Sequence, residues 1–320
     1  MSLKVLVLRF SSIGDIVLTT PVVRALKTQL PGVEVHYCTK KRFAPLLSHN
    51  PYVDRCFYLE DSLGPLVSQL KAEKYDCVID LHHNLRTRLI KLRLGVKAHS
   101  FNKLNREKWL LVNFKLNRMP PVHIVDRYLE TVKPLGVHDD GRGLDYFIPP
   151  QDFVARETLP LPFRRGYAAF AIGGQHHTKK LPLPRMIELA GRIAQPLVLL
   201  GGPEDAPNGE AIVEAFAGQP NKVILNACGK YNLNGSASLV QQADVVFSHD
   251  TGLMHIAAAF GKKIYSIWGN TVPAFGMYPF RTEHVVWERP NLYCRPCSKL
   301  GYKKCPQGHF KCMNEIDFQL

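Results

Sequence analysis

Residues 3–29 read LKVLVLRFSSIGDIVLTTPVVRALKTQ, and this stretch decides the fold. Val5–Leu8 is apolar at every position, as a strand buried on both faces must be. A polar loop follows, Arg9–Asp15. The chain then returns with helical periodicity over Thr20–Gln29, with Thr20 placed to cap the helix and Pro21 suited to its first turn. Strand, loop and helix in that order make the first βα step of a parallel sheet, because parallel strands need a crossover connection and a helix supplies it.

The step repeats along the chain. Strands are predicted at Glu34–Cys38, Cys56–Leu59, Cys77–Asp80 and Val96–Phe101, with helices at Leu63–Ala72, Leu85–Leu94 and Ile124–Lys133. Residues 139–166, which include DDGRGLDYFIPP and LPLPFRRG, break the pattern with Gly, Pro and charge, the chemistry of a linker. Strands then resume at Tyr167–Ile172, Leu197–Leu200, Val223–Asn226, Val245–Ser248 and Lys263–Trp268, with helices at Pro184–Ala194, Gly209–Ala217, Ser236–Gln242 and Gly252–Phe260. The expectation is an α/β protein of two Rossmann-like, doubly wound parallel sheets: a first domain over 1–150, a second over 160–290, and a Cys-rich segment over 291–320. Two such sheets in tandem leave a cleft between them. Ligands in such sheets sit at the carboxyl ends of the strands, so the loops after Leu8, Asp80, Ile172, Leu200 and Ser248 are where a site is sought.

Composition narrows the partners. The 320 residues are 46% hydrophobic and 21% charged, enough to fill two cores. No apolar run approaches the roughly 18–20 residues that span a bilayer, and the N-terminus lacks a signal peptide's apolar region, so a cytoplasmic location is expected. Lys and Arg number 41 against 27 Asp and Glu, a net charge of +14, and residues 1–150 hold 23 of the bases and 14 of the acids. Such a surface attracts nucleic acid, anionic lipid or phosphorylated substrates. No helix-turn-helix, RNP or basic-tail signature is present, so nucleic acid is not expected.

Four loops carry candidate chemistry. Arg9-Phe10-Ser11-Ser12-Ile13-Gly14-Asp15 lacks the G-x-G-x-x-G of a dinucleotide site and offers two hydroxyls, one glycine and a carboxylate. Asp15 there serves either as a general base for an acceptor hydroxyl or as the cap of the next helix. In Ser248-His249-Asp250-Thr251-Gly252-Leu253-Met254-His255 a strand-to-helix junction presents free N–H groups suited to phosphate, or again a plain cap with a packed histidine. Gly173-Gly174-Gln175-His176-His177-Thr178-Lys179-Lys180 combines close backbone approach with cations for a diphosphate, although single lysines are more often solvated surface. Leu200-Gly201-Gly202-Pro203-Glu204-Asp205 ends a strand in acids that suit ribose hydroxyls, or marks a turn.

The opening stretch, together with DLHHNLRT and SHDTGLMHIAAAFGKK, resembles glycosyltransferase family 9, the lipopolysaccharide heptosyltransferases, over about residues 3–312. The resemblance implies a GT-B fold, a nucleotide-diphosphate donor such as ADP-heptose, and inversion at the anomeric carbon without an obligatory metal. It further implies that Asp15 is the base and that Asp250, Thr251 and Gly252 seat the donor's diphosphate and sugar with His255 and Lys179. Asp205 then occupies the place of an acid that contacts the nucleoside, and Leu181 stands where a tryptophan is usual. Arg9 stands where lysine is common, and with Ser11, Ser12 and Gly14 it belongs to the acceptor and phosphate side, as does Arg86. The implied acceptor is lipid-linked, phosphorylated glycan, which places the protein peripherally at the anionic inner membrane face. Independently, no two aspartates are separated by one residue, so the D-x-D that holds a divalent ion in many sugar-nucleotide transferases is missing.

Cys294, Cys297, Cys305 and Cys312, with His309 between them, have ligand types suited to a structural zinc site; reduced thiols or labile disulfides are the alternatives. Cys38, Cys56, Cys77 and Cys228 lie in or beside apolar runs and read as buried thiols. Rival readings are a GT-B enzyme using a UDP donor, an NAD-dependent nucleotide-sugar epimerase, and a noncatalytic basic binding protein. The epimerase reading has a Tyr37-x3-Lys41 pair in its favour, but that pair comes too early and without a glycine fingerprint.

Overall fold

A computed structural model describes residues 3–320. The chain forms two compact units, the first comprising residues up to Lys103 and Val122–Pro149, the second Leu104–Pro121 and Pro150–Leu320.

The first unit is a five-stranded sheet of β1 (Lys4–Leu8), β2 (Glu34–Lys40), β3 (Arg55–Leu59), β4 (Cys77–Asp80) and β5 (Lys97–Ser100), in the order β3-β2-β1-β4-β5 with every pairing parallel. Its helices are α1 (Ile13–Val17), α2 (Thr20–Gln29), α3 (Leu63–Ala72) and α4 (Leu85–Leu94). Val5 to Leu8 are all buried, and each such side chain contributes roughly 1.5–3 kcal/mol over its exposed state. Thr20 turns out to be the first residue of α2 rather than its cap; its hydroxyl donates to Val17 O and accepts from Asp145 N.

The second unit begins with α5 (Asn105–Phe114), a helix the sequence reading missed, while α6 (Ile124–Leu129) belongs to the first. Its sheet runs β11-β10-β9-β6-β7-β8, again all parallel. The strands are β6 (Ala168–Ala171), β7 (Leu197–Leu200), β8 (Ile224–Asn226), β9 (Val245–His249), β10 (Lys263–Trp268) and β11 (His284–Glu288). The helices are α7 (Leu183–Arg192), α8 (Ala206–Glu214), α9 (Leu233–Gln242), α10 (Gly252–Ala259) and α11 (Lys311–Asn314).

Two segments that read as loose in sequence are packed into the units. The Gly- and Asp-rich stretch from 139 is held by the first unit: Arg24, fully buried on α2, pairs with Asp140 (Nε–Oδ2 2.6 Å) and Asp145 and donates to Gly143 O. The Cys-rich segment is no separate body either. Phe310, Cys312, Met313, Ile316 and Phe318 lie in the core of the second unit, with the Trp287 and Phe318 rings 5.2 Å apart.

Candidate active site

Each sheet has one place where the strand order reverses, and there the loops after neighbouring strands run to opposite faces and leave a crevice. In the first unit that place lies between β1 and β4; in the second, between β6 and β9. The polar residues singled out in the sequence gather at these two places.

In the first unit, Asp15 ties the start of α1 back to Ser12: its Oδ2 accepts from Ser12 N (3.0 Å) and Ser12 Oγ (2.8 Å). The other carboxylate oxygen meets Arg9 Nη2 at 2.7 Å. Burial pushes the Asp15 pKa upward, but the Arg9 guanidinium and the Ser12 donors outweigh it and bring it down to about 2. Helix anchoring and ionisation therefore coincide in one group. Arg9 is itself buried, donating through Nε to Ser11 O (2.7 Å) and through Nη1 to Leu81 O (2.5 Å) and Tyr128 Oη (2.9 Å). Arg9 is thus engaged both by Asp15 and by backbone and tyrosine acceptors. Ser12 is exposed, Ser11 half-buried and Gly14 buried.

His82 was not singled out as a site residue by the sequence reading. It follows β4, packs edge-on to Phe10 (5.5 Å), and has its pKa lowered to about 4 by burial and by Arg9. Asp80, at the end of β4, is fully buried; its Oδ1 accepts from His82 N (3.1 Å) and His83 N (2.7 Å), and its Oδ2 pairs with Lys91 Nζ (2.7 Å). Asn84 caps α4 by accepting from Thr87 N at 3.0 Å, which leaves Arg86 exposed on the first turn.

In the second unit three loops converge. A Cβ added at Gly174 would stand 3.1 Å from Thr251 Cγ2, and one at Gly173 would stand 2.6 Å from Asp205 Oδ2, so the Gly-Gly loop after β6 touches the loops after β9 and β7 alike. Lys179 Nζ pairs with Asp250 Oδ2 (2.6 Å), which also accepts from Thr271 Oγ1 (2.8 Å). Lys180 Nζ pairs with Asp205 Oδ1 (2.9 Å) while Asp205 Oδ2 accepts from Gly202 N (3.1 Å). Asp205 is 1% exposed. Its carboxylate lies against the glycine loops after β6 and β7.

Helix α10 is left open at its N-terminus. Asn84 caps α4 and Asn232 caps α9, whereas α10 shares with α2, α3, α5, α7 and α8 the lack of a side-chain cap, and the Thr251 hydroxyl lies 3.5 Å from Ser248 Oγ. The first-turn amides of a helix have no intrahelical acceptors and carry the positive end of its dipole. Lys179 lies beside that end, held by Asp250, and Gly252 opens the helix. His255 is buried one turn in. His249, fully buried, accepts from Leu181 N through Nε2 (3.0 Å); burial and Lys180 lower its pKa to about 3, so it stays neutral. Leu181, which stands where a tryptophan is usual, lies in the core of the second unit. Two contributors were not legible in the sequence. Thr178 exchanges hydrogen bonds with Tyr302 (Tyr302 N to Thr178 Oγ1 2.8 Å; Thr178 N to Tyr302 O 3.2 Å), so the Cys-rich segment braces the Lys179 loop. Beside Thr271, Asn270 is 1% exposed, and neither end of its side-chain amide has a protein partner among the described residues.

The C-terminal cysteines are all free thiols, Cys294 Sγ lying 3.9 Å from His309 Nε2. Among the described residues no group of three or more His, Cys, Asp or Glu side chains is arranged to hold a metal ion, and no helix is long and apolar enough to cross a membrane.

Two doubly wound parallel sheets, one with an ionised carboxylate at its switch point and the other with a lysine beside a helix N-terminus, place the chain in the class of tandem-sheet α/β proteins. The chain belongs to glycosyltransferase family 9 (heptosyltransferase), whose sequence profile matches residues 64–306. It is a glycosyltransferase. Lipopolysaccharide heptosyltransferase 1 of Escherichia coli is 27% identical over 295 residues, covering 85% of this chain and 89% of its own length. Among solved structures, E. coli ADP-heptose lps heptosyltransferase II matches with a TM-score of 0.70 at 21% identity, covering 98% of both chains. E. coli heptosyltransferase WaaC with ADP-2-deoxy-2-fluoro heptose matches with a TM-score of 0.65 at 25% identity, covering 90% of this chain and 94% of its own. The fold of these neighbours is GT-B, and this chain has it, as the sequence reading expected.

Proposed function

We propose that the protein transfers a heptose from ADP-heptose to the inner core of lipopolysaccharide, inverting the anomeric carbon and using no metal ion at the diphosphate. The observation that carries this reading is the open N-terminus of α10 with Lys179 beside it at the switch point of the second sheet. The related WaaC was solved with an ADP-heptose analogue, and this supports the choice of donor. The missing D-x-D supports the choice of charge carrier.

In the proposed reaction the donor's diphosphate rests on the amides of Thr251, Gly252 and Leu253, with Gly174 allowing close approach and Lys179 neutralising charge. Asp15, ionised, accepts the proton of the acceptor hydroxyl. The hydroxyl oxygen bonds to the anomeric carbon as the bond to the diphosphate breaks, and the electron pair leaves on ADP. A carboxylate with pKa about 2 is a weak base, which suits a displacement in which the hydroxyl proton becomes acidic only as the new bond forms. Turnover requires Asp15 and the donor's anomeric carbon to come within reach of each other.

The test is calorimetric titration of the purified protein with ADP and UDP, alongside turnover of ADP-heptose in EDTA. Tight ADP binding that Lys179→Met weakens about 10–100-fold, with turnover unchanged by EDTA, is expected. Preference for UDP would overturn the donor assignment, and activity abolished by EDTA and restored by Mg²⁺ would overturn the metal-free step.

A further inference from the structure

The bend Gly269-Asn270-Thr271 follows β10 at its carboxyl end, the end at which doubly wound sheets take ligands, and β10 is the strand beside β9. Its backbone is clamped. Arg295 donates to Gly269 O (Nε, 2.5 Å), Trp268 O (Nη2, 3.3 Å) and Thr271 O (Nη2, 2.9 Å), and pairs with Glu288 (2.6 Å). Asn270 N donates to Thr178 O (3.5 Å), and Asn270 O accepts from Cys297 N (3.3 Å). A Cβ at Gly269 would stand 2.8 Å from Thr178 O and 2.5 Å from Met313 Cε, so the bend has little room to shift. Thr271, 1% exposed, gives its hydroxyl proton to Asp250 Oδ2 (2.8 Å), the oxygen that also meets Lys179. The Asn270 side chain is different. It is as deeply buried as Thr271, and among the described residues neither its Nδ2 nor its Oδ1 has a partner. A buried amide with both ends unmatched is costly, and folded chains keep few of them. This one sits one residue from the contact that holds Asp250 and Lys179 together.

We propose that Asn270 is a specificity-determining residue for the donor: its amide takes a hydroxyl of the transferred sugar, donating through Nδ2 and accepting through Oδ1. The inference rests on the functional reading above and names the end of the donor that this bend meets. A diphosphate at the N-terminus of α10 has a nucleoside on one side and a sugar on the other. In the strand order β9 lies between β6 and β10. Toward β6 and β7 that place is bordered by the backbone of Gly173, Gly174, Gly201 and Gly202, which lets a flat base come close, and the Asp205 carboxylate is already engaged by Lys180 and Gly202 N. Toward β10 stands the amide with both ends unmatched. A hydroxyl donates and accepts, so one sugar hydroxyl matches both ends of the amide, whereas a phosphate oxygen only accepts and leaves Oδ1 without a donor. Because the bend is clamped, the amide is set before the donor arrives. A site of this kind rejects a ligand that lacks the hydroxyl, since its buried polar atoms are then left unpaired.

Asn270→Leu keeps the branched shape and removes both hydrogen-bonding atoms. Calorimetric titration of the full-length parent and variant with ADP and with ADP-heptose, without acceptor, isolates the affinity gained through the sugar. The variant is expected to bind ADP as the parent does and ADP-heptose about tenfold more weakly. It should melt no lower than the parent, because an unmatched amide has given way to an apolar group. If the leucine variant does not fold, Asn270→Ala supplies the same comparison without added bulk. Equal weakening of ADP and ADP-heptose would overturn the proposal, since the amide would then serve the nucleoside or the fold. Unchanged affinity for both would overturn it too. A parent that takes UDP in place of ADP overturns the donor assigned above and not this residue. The affinities of parent and variant for UDP-glucose and UDP then decide on Asn270 by the same criterion.

Discussion

Asp15 is held by two kinds of partner, and these have separable consequences. The Ser12 donors orient its carboxylate, while Arg9 keeps it ionised. Asp15→Asn keeps the size and the Ser12 contact but removes the base, so kcat should fall about 10²–10⁴-fold with a melting temperature close to the parent's. A variant retaining near-normal kcat would remove Asp15 from the chemistry. Arg9 gives a second readout. With the Asp15 pKa at about 2, the carboxylate is ionised across the accessible pH range, and kcat/KM should show no acidic limb from this group above about pH 4. Arg9→Met deletes the favourable charge and leaves burial, which raises a carboxylate pKa. An acidic limb should then appear and move up into the window of about pH 4–6. A merely structural loss would lower activity at all pH values without creating that limb.

Among the elements, the loop after β6 depends on neighbours far away in sequence. Thr178 is 1% exposed and bonded to Tyr302 through its hydroxyl and its backbone. Thr178→Val should cost about 1–2 kcal/mol of stability and raise KM for the donor more than it lowers kcat, because it loosens the segment that presents Lys179. Equal donor affinity in parent and variant would show that the brace has no part in binding. Gly173→Ala should be the more damaging change. The new Cβ would stand 2.6 Å from buried Asp205 Oδ2 and 3.1 Å from the backbone of Gly201, a crowding worth about 1–3 kcal/mol and visible as a lower melting temperature. These contacts mark the limit of what the chain shows by itself. Apolar runs and helical periodicity located every described strand but β11 and most helices, with Thr20–Gln29, Leu63–Ala72 and Leu85–Leu94 found at the bounds they have in the structure. Those patterns are local, so their signal is local too. Helix α5 was missed because its NREKWLLVNF leaves Trp109 and Phe114 exposed and buries Leu111, a weak core stripe. The burial of Asp205 and the engagement of Arg9 were missed for another reason: their partners, Lys180 at 25 residues and Leu81 and Tyr128 at 72 and 119, are set by topology.

For the molecule as a whole, pH acts through histidines that folding keeps neutral. Burial lowers the pKa of His249 to about 3 and of His82 to about 4, and that of His36 as well, from an ordinary 6.5. The sign follows from proton counting. Between about pH 4 and 6.5 the unfolded chain binds protons at these positions and the folded chain does not, so stability rises with pH across that window and is lost as pH falls through it. The chain already carries a net charge of +14 at neutral pH, and further protonation adds repulsion in the same direction. A tenfold difference in proton affinity between the folded and unfolded chain corresponds to about 1.4 kcal/mol, so two such histidines at about pH 5 account for a few kcal/mol. The melting temperature should accordingly be about 5–10 °C lower at pH 5 than at pH 7. His249→Gln separates this effect from general acid sensitivity. The glutamine carbonyl oxygen can accept from Leu181 N as Nε2 does, so the core contact is kept while the titrating group is removed. Differential scanning calorimetry of parent and variant across about pH 4.5–7.5 should show the slope of melting temperature against pH reduced by roughly half in the variant. Identical slopes would mean that His249 takes up its proton in the folded state as readily as in the unfolded one. Its place at the end of β9, against Leu181 N, would then have to be a looser one.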